Sequence, residues 1–489
     1  MKRFLALLLT LTLAVSFVCL AQAEEKEKVR LAVCITMNPC EDRGLIQDEM
    51  NRILEEKGIN VEVELVFVEF TAWGTQMNLM LSDGSIDLFN CCFMDPISVL
   101  AENGAIAPLD DLLAEYGQGI VDTLGEYLEC GKVGGVIYGT PKMNAYSSQQ
   151  LFIITTDEAE AAQVDLSQVH DLTTLTEALK QIHAVFPEKT MISCGPGGQY
   201  YDPANLDYLN NTYPYACLKL EKGSDDLTVL NYYETQDFKD LLAQAKEWAD
   251  LGFFRKDAIN TQDAVYNYIH NHEAVSAYSP APSVEIKDAS NVVTYSVRLT
   301  TVPISDTAWV TTGNVAGMIY AIPQLSQHKV GAMKLLNALY TDADLANVIG
   351  CGIEGVHYVM TDEGNITYAK EGQNTLTSGW PSAMGNFWPN ELIMHPWAPA
   401  AADTYEKYRE SNTTCEISPA MGFVFDTSNV ADEIAACDNA VAKYLNVMML
   451  GIGDVEALHQ QMLKELKENG VDDIIAEKQA QLNAWAELK

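Results

Sequence analysis

The sequence predicts an α/β protein of two lobes. Three observations lead there. Behind an apolar leader, the first stretch alternates strand and helix patterns. A second alternation of the same kind starts near Leu151. And the 466 residues that remain without the leader exceed the ~250–300 that one hydrophobic core usually serves.

The leader is residues 4–20, an apolar run behind Lys2 and Arg3, followed by Ala21-Gln22-Ala23 and then Glu24. A positive start, an apolar middle and a small-x-small site make a secretory signal peptide. Its run of 17 residues falls short of the ~20 that a spanning helix needs. Cleavage is expected after Ala23, which makes residues 1–23 a signal peptide and the rest a secreted, cell-surface or periplasmic protein.

Residues 29–37 (VRLAVCITM) read as a buried first strand. Ile46, Met50, Ile53 and Leu54 then recur at the spacing of one helix face. Gly58 stands where that helix would end in a left-handed residue. Val61, Val63, Leu65 and Phe67 alternate with Glu62 and Glu64, the pattern of a half-buried strand. A helix over 75–82, a turn at Asp83-Gly84 and a buried strand over 86–92 follow. Asp95-Pro96 is predicted to open the next helix, with Asp95 as N-cap and Pro96 as its first residue. Strands alternating with helices imply a mostly parallel sheet with right-handed crossovers.

In the second unit, helices are predicted over 173–185 and 236–250 and a strand over 274–277. Residues 291–299 and 314–322 read as strands returning to the first lobe, and 328–340 as a helix. Beyond about 345 the chain is helical, with loops rich in Trp, Pro and Gly. Helices over 429–446 and 454–488 finish it.

The formal charge is −38. So acidic a surface argues against nucleic acid and anionic lipid as partners and suits a monomer. Of the 11 cysteines, Cys19 lies in the leader. The other ten match no compact disulfide framework and include no C-x-x-C pair, so buried thiols are expected. No Gly-x-Ser-x-Gly elbow, His-Glu-x-x-His motif or Walker A loop is present. His270 and His272 would share one side of a strand, but they lack a third ligand nearby, and no metal or cofactor is expected.

Two segments carry a family resemblance. One is the tail over 422–485, GFVFDTSNVADEIAACDNAVAKYLNVMMLGIGDVEALHQQMLKELKENGVDDIIAEKQAQLNAW; the other is LLNALYTDADLANVIGCGIEGVHYVM over 335–360. Both resemble one branch of the family 1 extracellular solute-binding proteins, the maltodextrin-binding-like receptors of bacterial ABC importers. The resemblance implies a periplasmic-binding-protein-like fold. Residues 24–147 and 281–344 would form lobe 1, and 148–280 and 345–489 lobe 2, with a family-specific helical region from about 400. A multi-segment hinge would join the lobes around a ligand cleft. The implied function is not enzymatic. It is capture of a carbohydrate, an oligosaccharide in particular, for delivery to the permease subunits of an ABC transporter. Many relatives are lipoproteins, but Phe17 and Val18 ahead of Cys19 are too bulky for the lipidation pattern, so no anchor is expected there. The alternatives are a receptor of the same fold for a peptide or amino-acid derivative, or a secreted glycan hydrolase.

In open α/β sheets, ligands sit beyond the carboxyl ends of the strands. That rule selects Cys92, Phe93, Met94 and Asp95, after the strand at 86–92. Sugar rings stack on aromatic faces, which selects the loop aromatics Trp73, Tyr278, Trp309, Trp380 and Trp388; Trp397 lies in the same kind of loop. A loop aromatic is more often a core plug than a ligand contact, but five tryptophans in loops, Trp73, Trp309, Trp380, Trp388 and Trp397, are harder to explain as plugs alone. By resemblance, Tyr278 marks a crossing with a stacking aromatic, and the segment with Trp309 and Thr311 lines the cleft. Asn144 and Tyr146, past the glycine-rich strand at 134–142, complete the expected set with Glu354. Set between glycines, Glu354 is expected to be buried and paired. Trp248 and Trp485 are expected to be packing residues in helices.

Overall fold

The structure is a computed structural model that describes residues 26–35, 40–92, 94–195, 201–280, 297–380, 387–398 and 400–487. In the first lobe, β1 (Glu27–Ile35) buries Val29, Leu31 and Val33 and runs parallel to β2 (Val61–Glu69), Glu27 opposite Val61 and Ile35 opposite Glu69. Between them α1 (Arg43–Glu56) presents Ile46, Met50, Ile53 and Leu54 to the core, and Gly58 turns the chain at φ 69. The order continues with α2 (Trp73–Asp83), β3 (Phe89–Asn90) and α3 (Ile97–Glu102), while Leu88 bridges Leu31 in parallel. This is the predicted β-α-β-α-β-α run. One cap differs: Pro96, with ψ 148, is the extended residue before α3, and Asp95 stands one position further out. An extended ψ keeps proline out of the first helical turn, so its fixed φ serves the cap instead.

β4 (Thr140–Pro141) ends the first pass through this lobe. The chain then builds a second sheet from β5 (Leu151–Thr155), β6 (Thr190–Ile192), β7 (Ala274–Tyr278) and β8 (Leu299–Pro303), in the order β8-β5-β7-β6. Helices α4 (Leu172–Val185) and α5 (Gln236–Asp250) cover it. Asp171 opens α4 with a capping box shared with Thr174, which satisfies two end N–H groups. Trp248 lies in this core, as expected of it, with its indole N–H on Thr176. The histidine segment is no strand: α6 (Val265–His270) holds His270 on its last turn, and His272 follows at φ 60.

The chain then returns through β9 (Trp309–Val310), α7 (Thr312–Ala316) and β10 (Ile319–Ala321). β10 lies between β3 and β4, antiparallel to both. Strands that arrive from the other lobe thus enter antiparallel. The first run itself is parallel, as its alternation implied, through β1 with β2 and Leu31 with Leu88; the second sheet is mixed, with β5 antiparallel to both neighbours and β7 parallel to β6. Helices α8 (Lys329–Thr341), α9 (Ala343–Cys351) and α10 (Thr404–Thr414), then β11 (Glu416–Ile417), precede the terminal α11 (Ala431–Met449), α12 (Val455–Glu468) and α13 (Val471–Ala486). The predicted helix over 454–488 is broken by Gly470 at φ 89.

Two hydrophobic cores divide the chain. The first takes residues from Val29 to Tyr146 and again from Val310 to Met421; the second takes Phe152 to Trp309 and again from Ala420 to Leu482. This division differs from the expected one at two borders. β8 belongs to the second lobe, because it pairs with β5 from Leu299 opposite Thr155 to Pro303 opposite Leu151. Residues 345–394, expected in lobe 2, pack with lobe 1, where Leu345, Ile349 and Trp380 are buried. The three crossings lie side by side: Ser148 and Trp309 exchange backbone hydrogen bonds, and Trp309 and Val310 run parallel to Glu416 and Ile417. Among the described residues, no helix is long and apolar enough to cross a membrane and no cluster of ligating side chains could hold a metal ion.

Candidate functional site: a groove between the lobes

Two cavities open between the lobes, on either side of Asn210, which lines both. The larger, about 520 Å³, has the loop after β3 and the start of α3 on its lobe-1 side. Residues 424–428, from the segment ahead of α11, form its lobe-2 side. The smaller, about 310 Å³, is walled by the loop over 205–211, by Gln150 and Trp309 next to the crossings, and by Thr311 and Asn314. Together they make one groove of a size that suits small-molecule ligands.

The wall carries oxygen acceptors from both lobes. Asp95 and Glu102 come from lobe 1, and Asp207 and Asp426 from lobe 2. Among the described lining residues there is no Lys, Arg or His. Burial raises the Asp207 carboxyl above its ordinary range, against the bonds it accepts from Ser418 Oγ at 2.6 Å and from Leu209 N–H at 2.9 Å. Asp426 is held low, because it accepts from the hydroxyl and the backbone N–H of Ser428. Thr311 caps α7 in a reciprocal box with Asn314, so these two polar side chains enter the groove already fixed.

Of the expected residues, Cys92, Met94, Asp95, Trp309 and Thr311 line this groove. Phe93 lies outside the described residues. Tyr278 stands one layer back, with its hydroxyl on Gln150, which is itself in the wall. Trp73 and Trp388 are buried around a void of about 10 Å³ that shares Cys92 with the groove. Trp380 is a core residue, edge-on to Phe67 and donating its indole N–H to Ile349 O at 2.9 Å. Tyr146 is buried against Tyr127 and donates its hydroxyl to Lys142 O, and Asn144 O accepts from Asn412. These two residues belong to the packing at the first crossing. Glu354 is exposed, not buried: Gly352 at φ 96 and Gly355 at φ 77 turn its loop outward. Of the remaining tryptophans, Trp397 packs on Tyr368 and Trp485 on Phe423.

The lobe-2 wall was not singled out in the sequence. Tyr208, Asn210 and residues 424–428 line the groove. A signal existed for Asn210 and for residues 424–428, though not for Tyr208. Asn210-Asn211 is a pair suited to a left-handed turn, and Asn210 has φ 66. Residues 424–428 open the tail segment that carries the family resemblance.

Two family models match: bacterial extracellular solute-binding protein over residues 43–346, and a domain of unknown function, DUF3502, over 419–487. The first covers more than half of the chain. The chain belongs to the bacterial extracellular solute-binding protein family. A curated relative, a carbohydrate ABC transporter substrate-binding protein of Streptococcus pneumoniae, is 25% identical over 447 residues, 90% of this chain and 87% of the relative. Among solved structures, the N-glycan transport solute-binding protein of Streptococcus pneumoniae aligns with TM-score 0.79 at 23% identity, over 94% of this chain and 99% of that one. The same protein in complex with Man5GlcNAc aligns with TM-score 0.67 at 22% identity, over 95% and 99%. An extracellular solute-binding protein of Bifidobacterium longum subsp. infantis aligns with TM-score 0.59 at 15% identity, over 94% and 98%. The expected family and the expected two-lobed fold both agree with these findings.

Proposed function

We propose that this solute-binding protein is the extracellular receptor of an ABC importer, that it captures a neutral oligosaccharide between its lobes, and that it releases the sugar unchanged to the permease subunits. The observation that carries the proposal is the groove itself. Acceptor oxygens face it from both lobes, apolar surface from Met94 and Phe425 lies between them, and Trp309 stands beside the crossings. Sugar hydroxyls donate to carboxylates, and sugar C–H faces need apolar or aromatic cover. With no cation in the described lining, a sialylated or uronic-acid chain would place its charge beside Asp95, Glu102 and Asp426 with nothing to offset it. The relatives named for carbohydrate and N-glycan transport support the same reading. Closure would then follow the hinge motion of two-lobed receptors, about the three adjacent crossings.

The test is calorimetry and thermal shift on the secreted protein with Man5GlcNAc, its sialylated counterpart, maltodextrins and short peptides, with chain-length analysis after incubation. A neutral oligosaccharide that binds and is recovered intact supports the proposal. Peptides binding while every sugar fails would overturn the carbohydrate assignment, and shortened sugar would overturn the receptor. Intact mass of the same material checks removal of residues 1–23, Cys19 with them; a mass that begins at a lipid-modified Cys19 would overturn the absence of an anchor.

A further inference from the structure

The tail that matches a domain of unknown function is joined to the groove by side chains of α13. Lys478 is the central one. It is fully buried, and its ammonium donates to Ala216 O at 2.9 Å and to Tyr208 O at 3.4 Å. The third side of the ammonium faces the ring of Phe425, 4.7 Å from the centroid. Burying a cation costs several kcal/mol unless its donors are satisfied, and here they are met by two carbonyls and a π face. Burial lowers the pKa of Lys478 to about 7, opposed by the nearby Cys217 and Asp207. Both Tyr208 and Phe425 line the groove.

The neighbouring side chains of the helix repeat the pattern. Gln481 accepts from Asp426 N–H and donates to Asp426 O, both at 2.9 Å. Gln479 accepts from Val229 N–H at 2.8 Å and donates to Leu227 O at 2.9 Å. Glu477 accepts from Asn429 at 2.9 Å. A second observation says that the loop above needs holding. Leu209 at φ 49 and Asn210 at φ 66 are consecutive non-glycine residues in the left-handed region, a conformation that persists only where the surroundings impose it.

We propose that α13 is the template of the lobe-2 wall of the groove, with Lys478 the positioning residue that holds the 205–211 loop in its left-handed, groove-facing form and Gln481 holding Asp426 beside it. The ligand half of this inference rests on the function proposed above. The tail domain is then part of the recognition apparatus, contributing residues 424–428 directly and shaping Tyr208 and Asn210 from beneath.

The test compares Lys478→Met, which keeps the apolar stem and removes the ammonium, with Ile474→Ala, which opens a core cavity one turn away and leaves the ammonium in place. Amide exchange over 205–211 and affinity for Man5GlcNAc are read well below each melting temperature. Lys478→Met is expected to speed exchange in the loop and to weaken binding about tenfold, through lost preorganisation. Ile474→Ala is expected to lower the melting temperature while leaving affinity within about twofold. Gln481→Leu, expected to speed exchange at 426–428, serves should Lys478→Met not fold. Unchanged exchange and affinity in Lys478→Met, or equal loss of affinity in Ile474→Ala, would overturn the template role. A wild-type protein that binds no sugar sinks the proposed function instead, and the exchange measurement then decides the template role alone.

Discussion

The indole of Trp309 is 5% exposed, belongs to the second core and also lines the groove, and its Nε1–H has no partner among the described residues. A loop aromatic was expected either to plug a core or to meet the ligand, and here one side chain is packed in a core and also lines the groove. Trp309→Ala should therefore cost ~3–5 kcal/mol of stability, read by denaturant unfolding, and cannot separate the two roles. Trp309→Phe keeps a ring and removes only the N–H. It should weaken sugar binding by about 0.5–1.5 kcal/mol in calorimetry if that N–H meets a sugar oxygen; an unchanged affinity would assign Trp309 to packing alone. His357 gives a pH-dependent prediction. Its Nδ1 accepts from Ile353 N–H at 2.9 Å, its Nε2 lies 3.4 Å from Asp42, and burial lowers its pKa below the ordinary 6.5 despite that carboxylate. The unfolded chain then binds the proton more readily than the native one between the lowered value and 6.5. Stability present above pH 6.5 is lost as pH falls through that window. Burial lowers His459 in the same direction. The melting temperature should drop between pH 7 and 5, and His357→Gln should flatten the drop in part.

Among the elements, the three-stranded crossing was the least legible in the sequence. Its strands are two residues long or single bridges, too short for any periodicity to register. Beside its backbone bonds, one side chain ties two of its segments together. Asn412 accepts from Tyr146 N–H at 2.8 Å and donates to Asn144 O at 2.7 Å, while its own carbonyl accepts from the Tyr127 hydroxyl. Asn412→Ala would leave a buried N–H and a carbonyl unpaired and should cost about 2–4 kcal/mol, seen as an earlier denaturation midpoint. Asn412→Asp should recover only the bond to Tyr146. The longer elements were legible because their burial is one-sided: the apolar spacing in α1 and the alternation in β2 can be read directly from the residues. The histidine segment misled because six residues with Tyr, Ile and Val suit strand or helix equally, and only packing against β7 chose the helix.

At the scale of the molecule, cargo that binds only the folded state must stabilise it. At a hundredfold excess over Kd the gain is about 2.7 kcal/mol by mass action. Because sugar would touch both lobes only when they close, the melting temperature should rise and the radius of gyration should fall together. Calorimetry paired with small-angle scattering checks this. A thermal shift without compaction would place the sugar on one lobe and remove the groove from the mechanism.

The sequence alone determined that the chain is α/β, that it exceeds one core, and that its tail and the 335–360 segment resemble a receptor family. These are properties of local pattern, length and motif. Folding decided which lobe each returning segment joins. β8 and residues 345–394 both crossed the expected border, because strand pairing and apolar faces choose partners far away in the chain. Folding also decided which aromatics meet the groove. Trp73 opens α2, Trp309 opens β9, and Trp380 and Trp388 sit in loops, yet of these only Trp309 reaches the wall, since the direction of a side chain is set by what packs beneath it. The lobe-2 wall shows the same physics most fully. Its left-handed turn at Leu209 and Asn210 rests on a lysine about 270 residues downstream, a contact that no local pattern encodes.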